Sequence, residues 1–230
     1  MTISIIIPTF NEAINISNLV NYLRVKGGDF LKEIIVVDGG SSDHTKQLAT
    51  NAGATVLTSP DKCRAIQMNI GASTATGSIL YFVHADTIPP ESFTNDIKAA
   101  VKEGFDFGRY RSRFDGTDWK LKLNAFFTRF DLFMCYGGDQ TLFVSNQFFK
   151  QLNGFNDTLM IMEEYDFTKR GKLAGKYKIM PETTLISTRK YHENSWLQVQ
   201  RANYTIVKMY KKGMPQAAIV ERYKTLIKNR

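Results

Sequence analysis

Four polar clusters follow apolar runs or open a helix, and they carry the side chains whose types and spacing suit chemistry. The first is Pro8-Thr9-Phe10-Asn11-Glu12. Proline ends a ladder because it lacks a donor, and Thr9 and Asn11 are residues that cap helices. The second is Asp38-Gly39-Gly40-Ser41-Ser42-Asp43. An aspartate in such a turn accepts from a base N–H or a ribose hydroxyl, or folds into an Asx turn. The third is His84-Ala85-Asp86; two residues apart on an extended segment, His84 and Asp86 point to the same side. A carboxylate there suits Mg²⁺ or Mn²⁺, hard cations held by one or two carboxylates plus substrate phosphates. The fourth is Met162-Glu163-Glu164-Tyr165-Asp166 at a helix start. The helix dipole alone favours acids there, and one of them, set against an acceptor hydroxyl, is a general base. Gly137-Gly138-Asp139-Gln140 is a further polar turn suited to lining the same cleft.

Alternating elements must position these clusters. Residues 3–8, 33–38, 54–57 and 78–83 read as buried strands. Between and after them, residues 12–26, a stretch from Ser42, 62–73 and a stretch opened by Pro89-Pro90 read as helices, with Gly27-Gly28 ending the first. Such alternation predicts an α/β fold with a mostly parallel sheet flanked by helices. Ligands of such sheets gather beyond the carboxyl ends of the strands, where the first three clusters lie. The pattern Gly-x-Gly-x-x-Gly is absent and the paired glycines follow the second strand, so this is not a dinucleotide fingerprint.

The second half is less regular. Phe107–Phe114 alternates as a half-exposed strand would, with Arg109, Arg111 and Arg113 at every second place. Trp119, Leu123, Phe126, Phe127, Phe130, Phe133 and Met134 fall on one helical stripe, expected to be a core or packing face. Residues 163–174 read as a helix, residues 177–188 as two short strands around Pro181-Glu182, and the tail as two amphipathic helices broken at Gly213-Met214-Pro215. The first tail helix carries Trp196, Val199, Asn203, Ile206, Val207 and Tyr210 on one face.

With 230 residues, 43% hydrophobic and 23% charged, the chain is long enough for a substantial core. That composition excludes disordered, collagenous and disulfide-framework classes. Cys63 and Cys135 are too few for a disulfide framework or a zinc site. No basic leader or spanning segment is visible, so the expected setting is cytoplasmic. Residues 169–230 carry 15 Lys or Arg against three acids, a net charge of +12 in a chain whose total is +8. A basic tail of that kind meets phosphate or an anionic membrane surface, or is a solvated lysine-rich face. Its aromatics follow a helix face rather than a stacking platform, which argues against nucleic acid.

The order and spacing of these motifs over roughly residues 3–190 resemble the family-2 inverting glycosyltransferases, which use nucleotide-sugar donors on a GT-A fold. The closest resemblance within that family is to a bacterial group with histidine in the Asp-x-Asp position. The resemblance implies that Thr9, Asn11, Glu12 and Asp38, with Pro8, Gly40 and Ala85 beside them, hold the nucleoside, and that Arg64 approaches the nucleotide. It makes Asp86 the metal carboxylate and the Glu163-Glu164 pair the source of the catalytic base. Two departures stand out: His84 replaces the first aspartate, and Glu164 replaces the usual aspartate, which leaves Glu163 and Asp166 as competing bases.

The expected reaction is an in-line displacement at an anomeric carbon, with Mg²⁺ or Mn²⁺ offsetting the leaving group's charge. Arg189, Lys190 and His192 are candidates for the diphosphate, and Gly138, Asp139 and Gln140 for the acceptor or donor sugar. Uridine is the family's commonest base. The acceptor is a saccharide or a lipid-linked hydroxyl. Residues 1–190 are expected to form the catalytic unit, and 191–230 a helical extension that closes the cleft, forms a homodimer or rests peripherally on an anionic membrane. The alternatives are a non-catalytic nucleotide-sugar-binding scaffold and a nucleotidyltransferase; the latter is disfavoured because Pro-Thr-Phe-Asn-Glu replaces its glycine-rich first loop.

Overall fold

The computed structural model describes residues 1–137 and 140–228. Four parallel strands form one half of an eight-stranded sheet: β1 (Ile3–Thr9), β2 (Leu31–Asp38), β3 (Thr55–Thr58) and β4 (Ile79–Phe82). They are joined by α1 (Ile16–Gly27), α2 (Thr45–Asn51) and α3 (Arg64–Thr74). After β4 come β5 (Thr87–Ile88), α4 (Phe93–Lys102), β6 (Phe107–Phe114), α5 (Trp119–Phe127), β7 (Leu142–Ser145) and α6 (Asn146–Gln151). The chain ends with α7 (Glu163–Ala174), β8 (Tyr177–Ile186), α8 (Arg189–Glu193), α9 (Trp196–Lys211) and α10 (Gln216–Leu226). The sheet order is β3-β2-β1-β4-β7-β6-β8-β5, with only β7 and β5 running against the rest. This is the mostly parallel, helix-flanked α/β sheet that the strand–helix alternation predicts.

Period-two alternation divides β1 between two cores. Ile3, Ile5 and Ile7 join Leu19, Val20 and Leu23 of α1 and Phe93 and Ile97 of α4 on one face. Ile6 joins Met68 and Ala72 of α3 and Phe167 of α7 on the other. Helix α3 lies close because Gly71 has no side chain; a Cβ there would come within 2.5 Å of Ile6 Cγ2. A third cluster, built from Val199, Ala202 and Ile206 of α9 and Ile219 and Tyr223 of α10, closes over Met162. No helix among the described residues is long and apolar enough to cross a membrane.

Several expectations need correction. Pro89-Pro90 does not open a helix. A proline pushes its predecessor out of the helical region, so the chain stays extended through β5 and helix α4 begins at Phe93. Strand β6 is largely buried, not half-exposed, because β7 and β8 flank it. Its Arg109 is buried and donates to the carbonyls of Tyr110, Thr128 and Phe130. Residues 177–186 form one strand rather than two. Pro181 is accommodated where the β6–β8 register shifts, opposite the stretch between Arg109 and Arg111. The aromatic stripe is not a core face: Trp119 is 67% exposed, and Phe126, Phe127 and Phe130 are each 44% exposed. Only Leu121 of α5 is buried. Phe133 alone of the stripe is half-buried, packed on Tyr165 and Tyr210.

Candidate active site

The carboxyl ends of β1 and β2 are sewn into one rim. Asn11 adopts φ +53°, and its backbone N–H donates to Ser41 Oγ while its Oδ1 accepts from Ser42 N, at 2.8 and 2.9 Å. The Glu12 N–H donates to Thr45 Oγ1. Thr9 and Asn11 therefore do not cap α1, whose N-cap is Asn15 without a side-chain bond; Asn11 instead joins the two loops. Asp38 is fully buried at the end of β2 and accepts from Gly40 N, Ser41 N and the Ser41 hydroxyl. Gly40 takes φ +88°, a conformation L side chains rarely adopt, which lets the backbone double back to the carboxylate. Beneath the rim, the Gln67 amide donates to Thr9 O and Val37 O at 2.9 and 2.8 Å, tying the strand ends to α3. Sequence reading missed Gln67; its one signal is a polar side chain one turn before Gly71 on a helix whose apolar residues are buried.

Beyond β4 the backbone turns, with Thr87 N–H donating to His84 O, so His84 and Asp86 are not neighbours on one extended face. His84 is buried and its Nε2 lies 2.9 Å from Glu164 Oε1. Asp86 is half-buried and lines a cleft of about 630 Å³ together with Ser112, Gln140, Arg189, Lys190 and Asn203. Glu164 and His84 line a small void, and Gly137 borders both that void and the cleft.

The other acids of the α7 cluster face elsewhere. Glu163 is fully buried with Oε1 3.0 Å from Arg64 Nε, yet neither of its oxygens has an aligned hydrogen bond among the described residues. Burial, then the neighbouring Glu164 charge, pushes its carboxyl up to about 7 against the pull of Arg64. Burial opposes charge on Glu164 too, but the His84 hydrogen bond and charge, with Arg64, outweigh it and lower its pKa to about 2. Asp166 is tied to Arg170 at 2.7 Å, and that arginine also holds the carbonyls of Leu152 and Gly154. Asp166 is therefore a brace for a loop, not a group facing the cleft. Met162, the N-cap of α7, has φ +74°, and Thr141 beside Gln140 has φ +56°. With Asn11, three of the four non-glycine residues of positive φ in the described chain adjoin this region, where strain is commonly held.

Short helix α8 reaches back across the rim. Arg189 Nη2 donates to Glu12 Oε1 at 2.8 Å, and its charge is favoured first by that bond and further by Asp86. Lys190 lines the cleft and lies over the Tyr223 ring, whereas His192 is exposed and does not line the cleft. Pro8 and Ala85 are buried backbone positions of the rim. Gly138 and Asp139 lie outside the described residues. Gln140 is buried, with its Oε1 unpaired among them. The polar residues Asn124, Gln200 and Asn203 also line the cleft. Sequence reading placed Asn203 on an apolar face, where a lone asparagine was the available signal.

No cluster of three or more His, Cys, Asp or Glu side chains suited to a metal occurs among the described residues. The donor set still fits Mg²⁺ or Mn²⁺ held by one carboxylate, because such ions keep waters and share substrate phosphates. Asp86, in the turn between β4 and β5, is a carboxylate lining the cleft that would serve.

This is a helix-flanked, mostly parallel α/β protein with polar loops at its strand ends, and the chain belongs to the Glycosyl transferase family 2, which residues 4–167 match. It is similar to glucosyl-3-phosphoglycerate synthase of Mycolicibacterium smegmatis, 31% identical over 100 residues that cover 39% of this chain and 32% of that one. Glycosyltransferase AglJ of Haloferax volcanii is 40% identical over 55 residues, 24% of this chain and 17% of that one. These matches thus span about a third or less of the curated relatives' length. Among solved structures, mannosyltransferase PcManGT from Pyrobaculum calidifontis, in complex with GDP-Man and Mn²⁺, superposes with a TM-score of 0.69. The two are 18% identical, with 97% of this chain and 69% of that one covered. The Mycobacterium tuberculosis glucosyl-3-phosphoglycerate synthase with Mn²⁺, UDP and glucosyl-3-phosphoglycerate gives 0.61 at 18% identity, covering 93% and 81%. At such identities the likeness is one of fold.

Proposed function

We propose that the chain transfers a sugar from a nucleoside-diphosphate donor, with UDP as the favoured nucleotide, to an acceptor hydroxyl with inversion. The observation that carries this reading is the 2.9 Å pairing of His84 with Glu164 in a void that shares Gly137 with the cleft that Asp86 lines. The rim formed by Thr9, Asn11, Glu12, Asp38 and Gly40 takes the nucleoside. Arg189 and Lys190 face the diphosphate, with Arg64 at the nucleotide. Asp86 would hold the divalent cation, which when bound offsets the charge gathering on the departing diphosphate.

Glu164 acts as the base. Geometry is decided before pKa: Glu163 has the better-matched pKa, but it is fully buried against Arg64, and Asp166 is committed to Arg170. Glu164, aligned by His84 and ionised at neutral pH, takes the acceptor proton as the hydroxyl oxygen bonds to the anomeric carbon. The bond to the leaving oxygen breaks, and its electron pair departs with the nucleoside diphosphate. The test is release of nucleoside diphosphate from a panel of UDP- and GDP-sugars, with and without Mn²⁺. Slow hydrolysis without acceptor supports an enzyme, whereas donors that bind and never turn over leave a scaffold. A panel in which no donor shifts the melting curve or is hydrolysed overturns the reading.

A further inference from the structure

The exposed aromatic face on α5 and the loop after it has no role in the chemistry above. Trp119, Leu123, Phe126, Phe130, Leu132 and Met134 are all exposed, and the rings of Phe126, Phe127 and Phe130 meet edge-to-face or tilted at the surface, with centroids 5.7–6.4 Å apart. Contiguous exposed apolar surface of this kind marks an interaction site rather than a random exposure. Two features say what it meets.

The first is charge. Lys122 and Arg129 are exposed within the same segment, and the Arg129 guanidinium lies 4.0 Å above the Phe126 ring. The segment's two acids are engaged locally: Asp118 caps α5, and Asp131 pairs with Lys172. The patch therefore presents rings framed by cations. A two-fold contact through it would gather the cations of two copies, Lys122 and Arg129 from each, in one interface with no exposed acid of the segment left to pair them, which disfavours a second chain as occupant. Tryptophan and phenylalanine framed by Lys and Arg suit the headgroup boundary of an anionic bilayer, where rings enter the acyl edge and cations meet phosphate.

The second is continuity with the cleft. Phe127, Leu132 and Met134 belong to the aromatic segment and also line the cleft that Asp86 lines. Gln200 and Asn203 of α9 also line the cleft, and the neighbouring Leu197 and Tyr204 on the same helix are exposed. Arg201, Lys208, Lys211 and Lys212 are exposed on that helix and just past its end, and the Lys211 ammonium lies 4.5 Å from the Phe133 ring centre. Exposed apolar side chains and cations thus occur on both elements, α5 with its following loop and α9, that contribute to the cleft lining.

We propose that this face docks on an anionic lipid bilayer, with the cleft opening toward the lipid. Docking stands on the surface alone. Its consequence, that the acceptor hydroxyl belongs to an amphiphile held in that bilayer, rests on the glycosyl-transfer reading.

Flotation of the full chain with vesicles of phosphatidylcholine and phosphatidylglycerol, in about a two-to-one ratio, tests the docking without any turnover. The chain is expected to float with these vesicles and not with phosphatidylcholine alone. The combined Trp119→Ser, Phe126→Ser and Phe130→Ser variant is expected to lose at least about tenfold in bound fraction, given the apolar area removed. Lys122→Glu with Arg129→Glu should lose binding and retain the melting temperature. A UDP-induced shift in melting temperature, retained by both variants, reports that the fold and nucleotide site are intact. Absent flotation, flotation unchanged in the serine variant, or a concentration-dependent dimer abolished by the same serines overturns the proposal. Each of these outcomes leaves the transferase reading to its own donor-hydrolysis test.

Discussion

Adjacent glutamates on the first turn of α7 have carboxyl pKa values shifted in opposite directions because they face different neighbours. Glu164 meets His84, whereas Glu163 meets only an unaligned Arg64 in a fully buried setting. Glu164→Gln keeps the shape and removes the proton acceptor, so transfer should fall by about 10³ or more while the dissociation constant for UDP stays near that of the wild type. Parallel loss of UDP binding in a titration would point to a structural role instead. Glu163 gives a pH signature. Its pKa rises from 4.5 to about 7 on folding, so its contribution to stability is full below about pH 4.5 and is lost as pH rises through 7. Glu164, lowered to about 2, contributes above pH 4.5 and loses that contribution only as pH falls through 2. Glu163→Gln should therefore flatten the fall in stability between pH 5 and pH 8, read by urea unfolding at both values. An unchanged slope would place the strain on another group. The acidic cluster itself was legible from sequence, as was the carboxylate after β4. Which acid faces which partner was not, because His84 lies 80 positions from Glu164 and no local pattern encodes that pairing.

At the scale of elements, hydrophobic period located most of the helices and strands but said little about which side of each meets solvent. Helix α7 lies where the 163–174 pattern puts it. The α5 stripe has equally good periodicity, yet its aromatic side is the exposed one, since period reports that a helix is two-faced and not which face is covered. Strand β8 was read as two strands because Pro181 cannot donate to a ladder; the sheet absorbs it with a register shift, a non-local solution. The seam joining β1, β2 and α3 is of the same kind, and Gln67 is its least legible part. Gln67→Leu would leave the carbonyls of Thr9 and Val37 without their amide donor, a loss of about 1–2 kcal/mol. Since those carbonyls sit at the strand ends that carry the nucleoside rim, the variant should also raise KM for the donor more than it lowers kcat. Steady-state kinetics beside a thermal melt checks this: a stability loss with an unchanged KM would confine Gln67 to packing.

Across the whole molecule, the basic tail is joined to the site by more than charge. The cluster of Val199, Ala202, Ile206, Ile219 and Tyr223 buries Met162, the left-handed residue from which α7 starts and after which Glu163 and Glu164 follow. The Gln216 side-chain oxygen accepts from the N–H groups of Met160 and Ile161, so α10 also fixes the loop entering that turn. Asn203, Ile227 and Lys228 line the cleft. The sequence reading separates residues 1–190 from a 191–230 extension because the family resemblance runs to about residue 190. We propose that the extension instead serves as one wall of the site and as the clamp on Met162. A chain ending at residue 190 would expose the partly buried Phe133, Ile161 and Tyr165 and free the α7 start to leave its positive φ. It should melt at least roughly 5 °C lower. It should also lose donor hydrolysis, since Glu164 would no longer be held against His84. Nucleotide binding should weaken far less, because Thr9, Asn11 and Asp38 are fixed by β1, β2 and α3, none of which the tail cluster includes. Thermal melting with and without UDP, followed by the hydrolysis assay, separates these effects. A truncated chain that hydrolyses donor at the full rate would show that α7 keeps its start without the clamp, and the tail would then be a surface appendage.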